Sequence, residues 1–171
     1  IAKVGVIGAG TMGGGIAMSF ANAGIPVTML ETGDEQLKRG LGIMQKNYEA
    51  TAARGGIPAD APAKRMGLIK GVVGIENVKD ADLIITGEGK SDRQTLMGKV
   101  PSGILQEARR QHIPVILLAG AIEDAGILNA AGFRGVFSIT PSPVSLEQAM
   151  QPEFAQENIR RTVEQICRIF F

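Results

Sequence analysis

The stretch "VGVIGAGTMGGG", residues 4–15, restricts the fold more than any other part of the chain. An apolar, β-branched run breaks into closely spaced glycines and continues as a helical pattern. Gly8, Gly10 and Gly13 have the spacing G-x-G-x-x-G. Between a strand and a helix, that spacing serves a physical purpose. The first glycine permits a tight turn, the second lets the backbone come close to a pyrophosphate, and the third lets the helix pack against the strand. Free N–H groups and the positive end of the helix dipole then hold the phosphates. Glu31 ends the next apolar run, 23 residues after Gly8. An acid there accepts both ribose hydroxyls of adenosine and repels a 2′-phosphate. The expected cofactor is NAD rather than NADP, at a site made by Gly8, Ala9, Gly10, Thr11, Met12, Gly13 and Glu31.

The rest of the chain continues the alternation. Further β-branched runs occur at "VTMLE" 27–31, "DLIITG" 82–87, "PVILLAG" 114–120 and "GVFSIT" 135–140. Each is nearly continuous in apolar residues, as strands buried on both faces of a parallel sheet must be. Helical patterns lie between them at 11–23, 34–54, 101–111 and 123–131, stopped by Gly or Pro. A last helix, 152–170, places Ile159, Val163, Ile166 and Phe170 on one face. "PADAPAKRM" suggests a short helix and "LIKGVV" an edge strand. The expected fold is therefore α/β: a Rossmann-like, doubly wound αβα sandwich over residues 1–171 as one domain. Its parallel sheet has six strands in the order 3-2-1-4-5-6, or five if "LIKGVV" does not pair.

Composition narrows the function. Eighteen basic residues balance 17 acidic ones without a dense basic run, which argues against a nucleic-acid or anionic-membrane surface. No apolar run is long enough to span a bilayer. A small-molecule nucleotide is the expected partner, and the chain is expected to be monomeric or weakly self-associating through an edge strand or the apolar "RIFF" end. The single cysteine, Cys167, reads as helix packing, and with no leader-like opening the expected location is the cytoplasm.

Residues of about 1–72, "VGVIGAGTMGGGIAMSFANAGIPVTMLE", "QLKRGLGIMQKNYEATAARG" and "KRMGLIKG", resemble the NAD-binding domain of bacterial 3-hydroxyacyl-CoA dehydrogenases. That resemblance implies that Gly8, Gly10, Gly13 and Glu31 bind the adenosine diphosphate half of NAD. It does not extend to catalysis. The family's "NTS" serine and its catalytic histidine with an acidic partner are missing, and the one histidine, His112, falls in the turn "RRQHIPV", at the wrong end of a strand for the ligand crevice.

Residues of about 76–171 resemble a different family, the bacterial two-domain glycerate kinases, through "TGEGKSDRQTLMGK", "VPSGILQEARRQHIPVILLAG", "AAGFRGVFSITPSPVSLEQAMQP" and "ENIRRTVEQI". In the first of these, Gly87 and Gly89 clear backbone at a strand end. Glu88 and Asp92 are carboxylates able to hold a hydroxyl or Mg²⁺, and Lys90, Arg93 and Lys99 are cations able to face phosphate. The P-loop pattern is absent, since Val100 follows Lys99. Thr140, Ser142, Ser145 and Glu123 lie near the same edge, but turn and cap chemistry accounts for them, with Ser145 before "LEQ" as a helix cap. The two resemblances meet between Gly67 and Ile85, inside one expected sheet. Together they imply an engineered chimera that binds NAD through its adenosine half and lacks a complete catalytic or metal site. Dehydrogenase or glycerate kinase activity, and a folded scaffold without ligand, are the alternatives.

Overall fold

The computed structural model describes residues 1–140 and 142–171; Pro141, in the expected 140–145 loop, lies outside the described residues. The elements run β1 (Val4–Ile7), α1 (Thr11–Asn22), β2 (Val27–Glu31), α2 (Asp34–Ala53), α3 (Ala61–Met66), β3 (Ile69–Val73), β4 (Ile84–Ser91), α4 (Val100–Arg110), β5 (Val115–Ile122), α5 (Ala125–Ala131), β6 (Gly135–Ser138), α6 (Leu146–Ala149) and α7 (Pro152–Phe170). Short 3-10 turns cover Ile75–Val78 and Arg93–Leu96. The fold class is α/β with parallel strands, as the alternating pattern predicts.

The strands do not form one sheet of five or six. They form two three-stranded parallel sheets, in the orders β1-β2-β3 and β4-β5-β6. Buried parallel strands all read as apolar runs, so the sequence shows which segments are strands but not which ladder each joins. The chain divides into two compact units, Ile1–Asp80 and Ala81–Phe171.

In the first unit Val4 pairs with Val27, and Val27 with Ile69, so "LIKGVV" does supply an edge strand. One face of this sheet, with Val6, Val27, Met29 and Ile69, packs against Ala17 and Ala21 of α1 and Leu37 and Met44 of α2. Alanines on the buried side of α1 let that helix lie close to the strands. Helix α2 buries Leu37, Gly40, Met44 and Tyr48, one residue per turn. The Tyr48 hydroxyl meets Asn22 Oδ1 at 3.0 Å, which satisfies a polar group inside the interface between α1 and α2.

In the second unit alternate residues of β5 face opposite ways. Ile116 and Leu118 pack with Val163, Ile166 and Phe170 of α7. Val115 and Leu117 are buried on the other side, where α4, with Ile104, Leu105 and Ala108 buried, packs on β4 and β5. Phe170 thus belongs to this core, whereas Phe171 is exposed. Ile159 departs from its expected place: it is exposed, and Asn158 beside it is buried instead. The rest of the expected face, Val163, Ile166 and Phe170, packs in the core as read, so the departure is confined to the first turns of α7.

Two strands run further than their apolar runs: β4 continues past Gly87 through Glu88, Gly89 and Lys90 to Ser91, and β5 continues past Gly120 to Ile122. Small residues explain the extension. A Cβ at Gly120 would lie 2.8 Å from the Gly89 carbonyl oxygen, so the glycine lets these strand ends approach where a larger residue would part them.

The glycines of the first turn separate by the same test. A Cβ on Gly13 would run into the Gly8 carbonyl, whereas one on Gly10 would meet nothing within 4 Å. Gly13→Ala is expected to destabilise the protein by about 1–3 kcal/mol or prevent folding. Gly10→Ala is expected to cost about 1 kcal/mol or less, the scale of an unfavourable N-cap residue. Urea denaturation of the two variants against the parent measures the difference.

Candidate functional site

Two side-chain groups stand at carboxyl ends of strands, one in each unit. In the first unit, β1 ends at Ile7 and Gly8 turns the chain with φ +94, a conformation that favours glycine. The Gly8 N–H donates to the Leu30 carbonyl at 2.8 Å, so the turn remains tied to β2. Gly40 of α2 abuts Ala9, which presses that helix against the loop. Helix α1 starts at Thr11 with no side-chain cap and no acid in its first turn. The first N–H groups of a helix have no partner within it. Met12, in that turn, is 82% exposed. Gly10 has neither a positive φ nor a close neighbour, so neither turn geometry nor packing explains its glycine.

Glu31 ends β2 beside this loop. Its Oε1 accepts from the Ala9 N–H at 3.1 Å, and its Oε2 accepts from the Thr32 N–H at 2.7 Å and the Thr32 hydroxyl at 3.4 Å. The Thr32 and Ala9 backbone N–H groups hold its pKa below the ordinary glutamate value, outweighing desolvation. Gly8, Ala9, Gly10, Thr11, Met12, Gly13 and Glu31 are therefore gathered around one turn, as their spacing predicts. Thr32 was missed; its only signal in the sequence is its position directly after the acid.

In the second unit, Glu88, Asp92 and Lys99 come together. Lys99 Nζ lies 3.5 Å from Glu88 Oε2 and 3.9 Å from Asp92 Oδ1. The Ser91 and Thr95 hydroxyls, both fully buried, donate to Glu88 Oε1 at 3.0 and 2.5 Å. The Asp92 N–H donates to Thr95 Oγ1 at 3.1 Å, and Asp92 Oδ1 accepts from the Gln94 N–H at 2.7 Å, a capping box on the short turn that follows. Both hydroxyls hold one oxygen of Glu88 and leave the other toward Lys99. Lys90 is drawn away, with Nζ 2.6 Å from Glu123 Oε1. Ser91 and Thr95 were missed as site residues, although S-D-x-x-T is a capping pattern legible in the sequence.

The remaining candidates have structural roles. Ser145 caps α6 by accepting from the Gln148 N–H at 3.1 Å. The Thr140 hydroxyl donates to the Gly120 carbonyl at 2.8 Å. His112 stands in the turn before β5, at the amino end of that strand. Cys167 is a half-buried free thiol on α7. Among the described residues, no helix is long and apolar enough to cross a membrane.

Strand order and helix placement define a Rossmann-like α/β fold. The glycerate kinase family pattern matches residues 13–171, and the chain belongs to that family. It is 36% identical over 160 residues to a glycerate kinase from Bacillus cereus, a match covering 83% of this chain and 41% of that protein. It is also 33% identical over 149 residues to a probable 3-hydroxybutyryl-CoA dehydrogenase from Deinococcus radiodurans, covering 83% of this chain and 51% of the other. A crystal structure of 3-hydroxybutyryl-CoA dehydrogenase from Escherichia coli K12 has a similar fold, with a TM-score of 0.61 and 23% identity over 95% of this chain and 36% of that one. The chain spans less than half the length of the curated glycerate kinases it matches first.

Two substitutions test these groups. Thr95→Val removes a donor to Glu88 and the acceptor of the Asp92 N–H, and is expected to cost about 1–3 kcal/mol in chemical denaturation. Glu31→Gln is expected to lower stability at neutral pH. Because the folded pKa of Glu31 is depressed, the charge-dependent stability it adds is fully present above the ordinary value of 4.5 and is lost as pH falls through the lower folded value. The gap between parent and variant in pH-dependent denaturation should close in that acid window.

Proposed function

We propose that the chain is an engineered composite of a dehydrogenase-type nucleotide-binding unit and a glycerate-kinase-type unit. Its first unit binds NAD through the adenosine diphosphate half, without completing a catalytic site. The observation that carries the binding reading is Gly10: a glycine with ordinary φ and open space where its Cβ would be, next to an uncapped helix start. Such a position makes sense when the backbone must leave room for a ligand. The helix N–H groups favour an anion there, and the pyrophosphate of a dinucleotide is that anion.

Glu31 fits the ribose. A carboxylate has about four lone-pair sites. Ala9 and Thr32 N–H groups and the weakly placed Thr32 hydroxyl use three of them, and two become available if that hydroxyl turns away. Two ribose hydroxyls need two acceptors. The low pKa keeps the carboxylate charged at neutral pH, which repels a 2′-phosphate.

The composite reading is supported by similarity to both a glycerate kinase and a hydroxybutyryl-CoA dehydrogenase over most of the chain. Phosphoryl transfer from ATP to glycerate is the second reading. It is favoured by the grouping of Glu88, Asp92 and Lys99.

Calorimetric titration tests the proposal. NAD⁺ and ADP should both bind saturably, NADP⁺ more weakly, and Glu31→Ala should raise the NAD⁺ dissociation constant roughly tenfold or more, the worth of hydrogen bonds to a charged group. Absence of heat from every nucleotide, in protein shown by circular dichroism to be folded, would overturn it. Turnover of glycerate with ATP in a coupled assay would establish the second reading instead.

A further inference from the structure

The second unit has an open cavity of about 550 Å³ at the amino end of β5 and β6, away from the carboxyl ends where Glu88 and Lys99 lie. Its lining includes Arg109, His112, Pro114, Gly132, Arg134 and Phe170, and no carboxylate. We infer that this cavity binds a phosphate dianion, carried by a small molecule whose apolar body rests against Phe170.

The guanidinium groups carry the inference. Arg110, Arg160, Arg161 and Arg168 each pair with a glutamate on their own helix. Among the described residues, Arg109 and Arg134 have no ion-pair partner and no side-chain hydrogen bond, which leaves the five donors of each unspent. A guanidinium offers its donors in a planar fork that matches phosphate oxygens. Among the described residues Arg93 is also without an ion-pair partner but does not line this cavity, whereas Arg109 and Arg134 line it together.

The backbone holds both in place. The Arg134 N–H donates to the Val115 carbonyl at 2.8 Å, which ties the start of β6 to β5. Arg109 lies over Gly132, close enough that a Cβ there would be 2.9 Å from its Nε. His112 has φ 57, in the left-handed region, at the turn that closes α4, and its N–H donates to the Arg109 carbonyl at 3.3 Å.

Helix dipoles offer a competing reason for cations here. The carboxyl ends of α4, α5 and α7 bring Arg109, Gly132 and Phe170 to the cavity, and each helix end is equivalent to about half a negative charge. Together these ends come to about one and a half charges, smeared over several carbonyls that offer no planar pair of acceptors, so the forked N–H donors of the two guanidinium groups are what an anion would meet. Pro114, Ile113 and the Phe170 ring give that ligand an apolar wall.

His112 is the only histidine, so its imidazole proton resonances report this cavity alone, whatever phosphate does at the glycine turn. Phenyl phosphate would be titrated into the full chain at constant pH and ionic strength, with inorganic phosphate and sodium chloride as separate arms. The expected result is a saturable shift of the His112 signals with phenyl phosphate, a weaker one with inorganic phosphate, and none that saturates with chloride. Arg134→Gln should raise the dissociation constant roughly tenfold or more, and Arg134→Lys, which keeps charge but not the fork, should lose less. Circular dichroism confirms that each variant is folded. A linear shift, a response equal to that of chloride, or an affinity unchanged in Arg134→Gln would overturn the proposal. Equal binding of phenyl phosphate and inorganic phosphate would overturn the role of Phe170.

Discussion

Backbone brought close to backbone by glycine is the constraint on which each unit depends. Gly13 lets α1 approach the Gly8 carbonyl, and Gly40 lets α2 approach Ala9, so two helices press on one turn. In the second unit Gly120 lets β5 approach the Gly89 carbonyl, and a Cβ on Gly87 would sit 3.1 Å from the Leu118 carbonyl. Protein interiors are packed too tightly to absorb an added methyl group at such points without a shift of backbone. Positions of the site residues follow from these contacts. Glu31 reaches Ala9 because the turn is held against β2, and Glu88 meets Ser91 and Thr95 because β4 continues as strand up to the turn that carries them.

The two glutamates show one device in different settings. Glu31 is held chiefly by backbone N–H groups, and this lowers its pKa. Glu88 is held by two buried hydroxyls on a single oxygen. In both cases the donors orient the carboxylate before any ligand arrives, which reduces the cost of ordering it on binding. They differ in what remains free: Glu31 retains acceptor capacity toward an open turn, while the second oxygen of Glu88 faces Lys99. The first arrangement suits hydrogen-bond donors such as ribose hydroxyls. The second already has a cation, and an incoming phosphate or metal must compete with an existing pair.

Strand and helix positions were legible because apolar runs and glycine breaks are local signals. The turn at residues 8–13 was legible for the same reason: its spacing has few other uses between a strand and a helix. The grouping of strands into two ladders was not, since pairing is a long-range property. Nor was the extension of β4 through "GEGK", where charged and glycine residues imitate a loop and only the close-fitting partner strand makes it strand. Ile159 sits at the edge of an otherwise correct stripe, with Val163, Ile166 and Phe170 in the core, and the buried polar Asn158 beside it gives no apolar signal. Ser91 and Thr95 lacked a charge to draw notice, although their burial beneath Glu88 makes them part of its environment.

Each unit closes its own apolar core: Met29, Met44 and their neighbours in one, Ile116, Leu118 and Ile166 in the other. Hydrophobic burial is non-directional and depends on area, so a core survives when a neighbouring segment changes. Ligand sites have no such tolerance, because a misplacement of about an ångström loosens them. A site contained within one unit should therefore outlast the joining of segments from different proteins, and one that needs groups from elsewhere should not. The glycine turn with Glu31 and Thr32 lies within residues 8–32 and meets the first condition. The Glu88 group, held by Ser91 and Thr95 within residues 88–95, meets the same condition, and what sets it apart is the Lys99 cation already paired with its free oxygen.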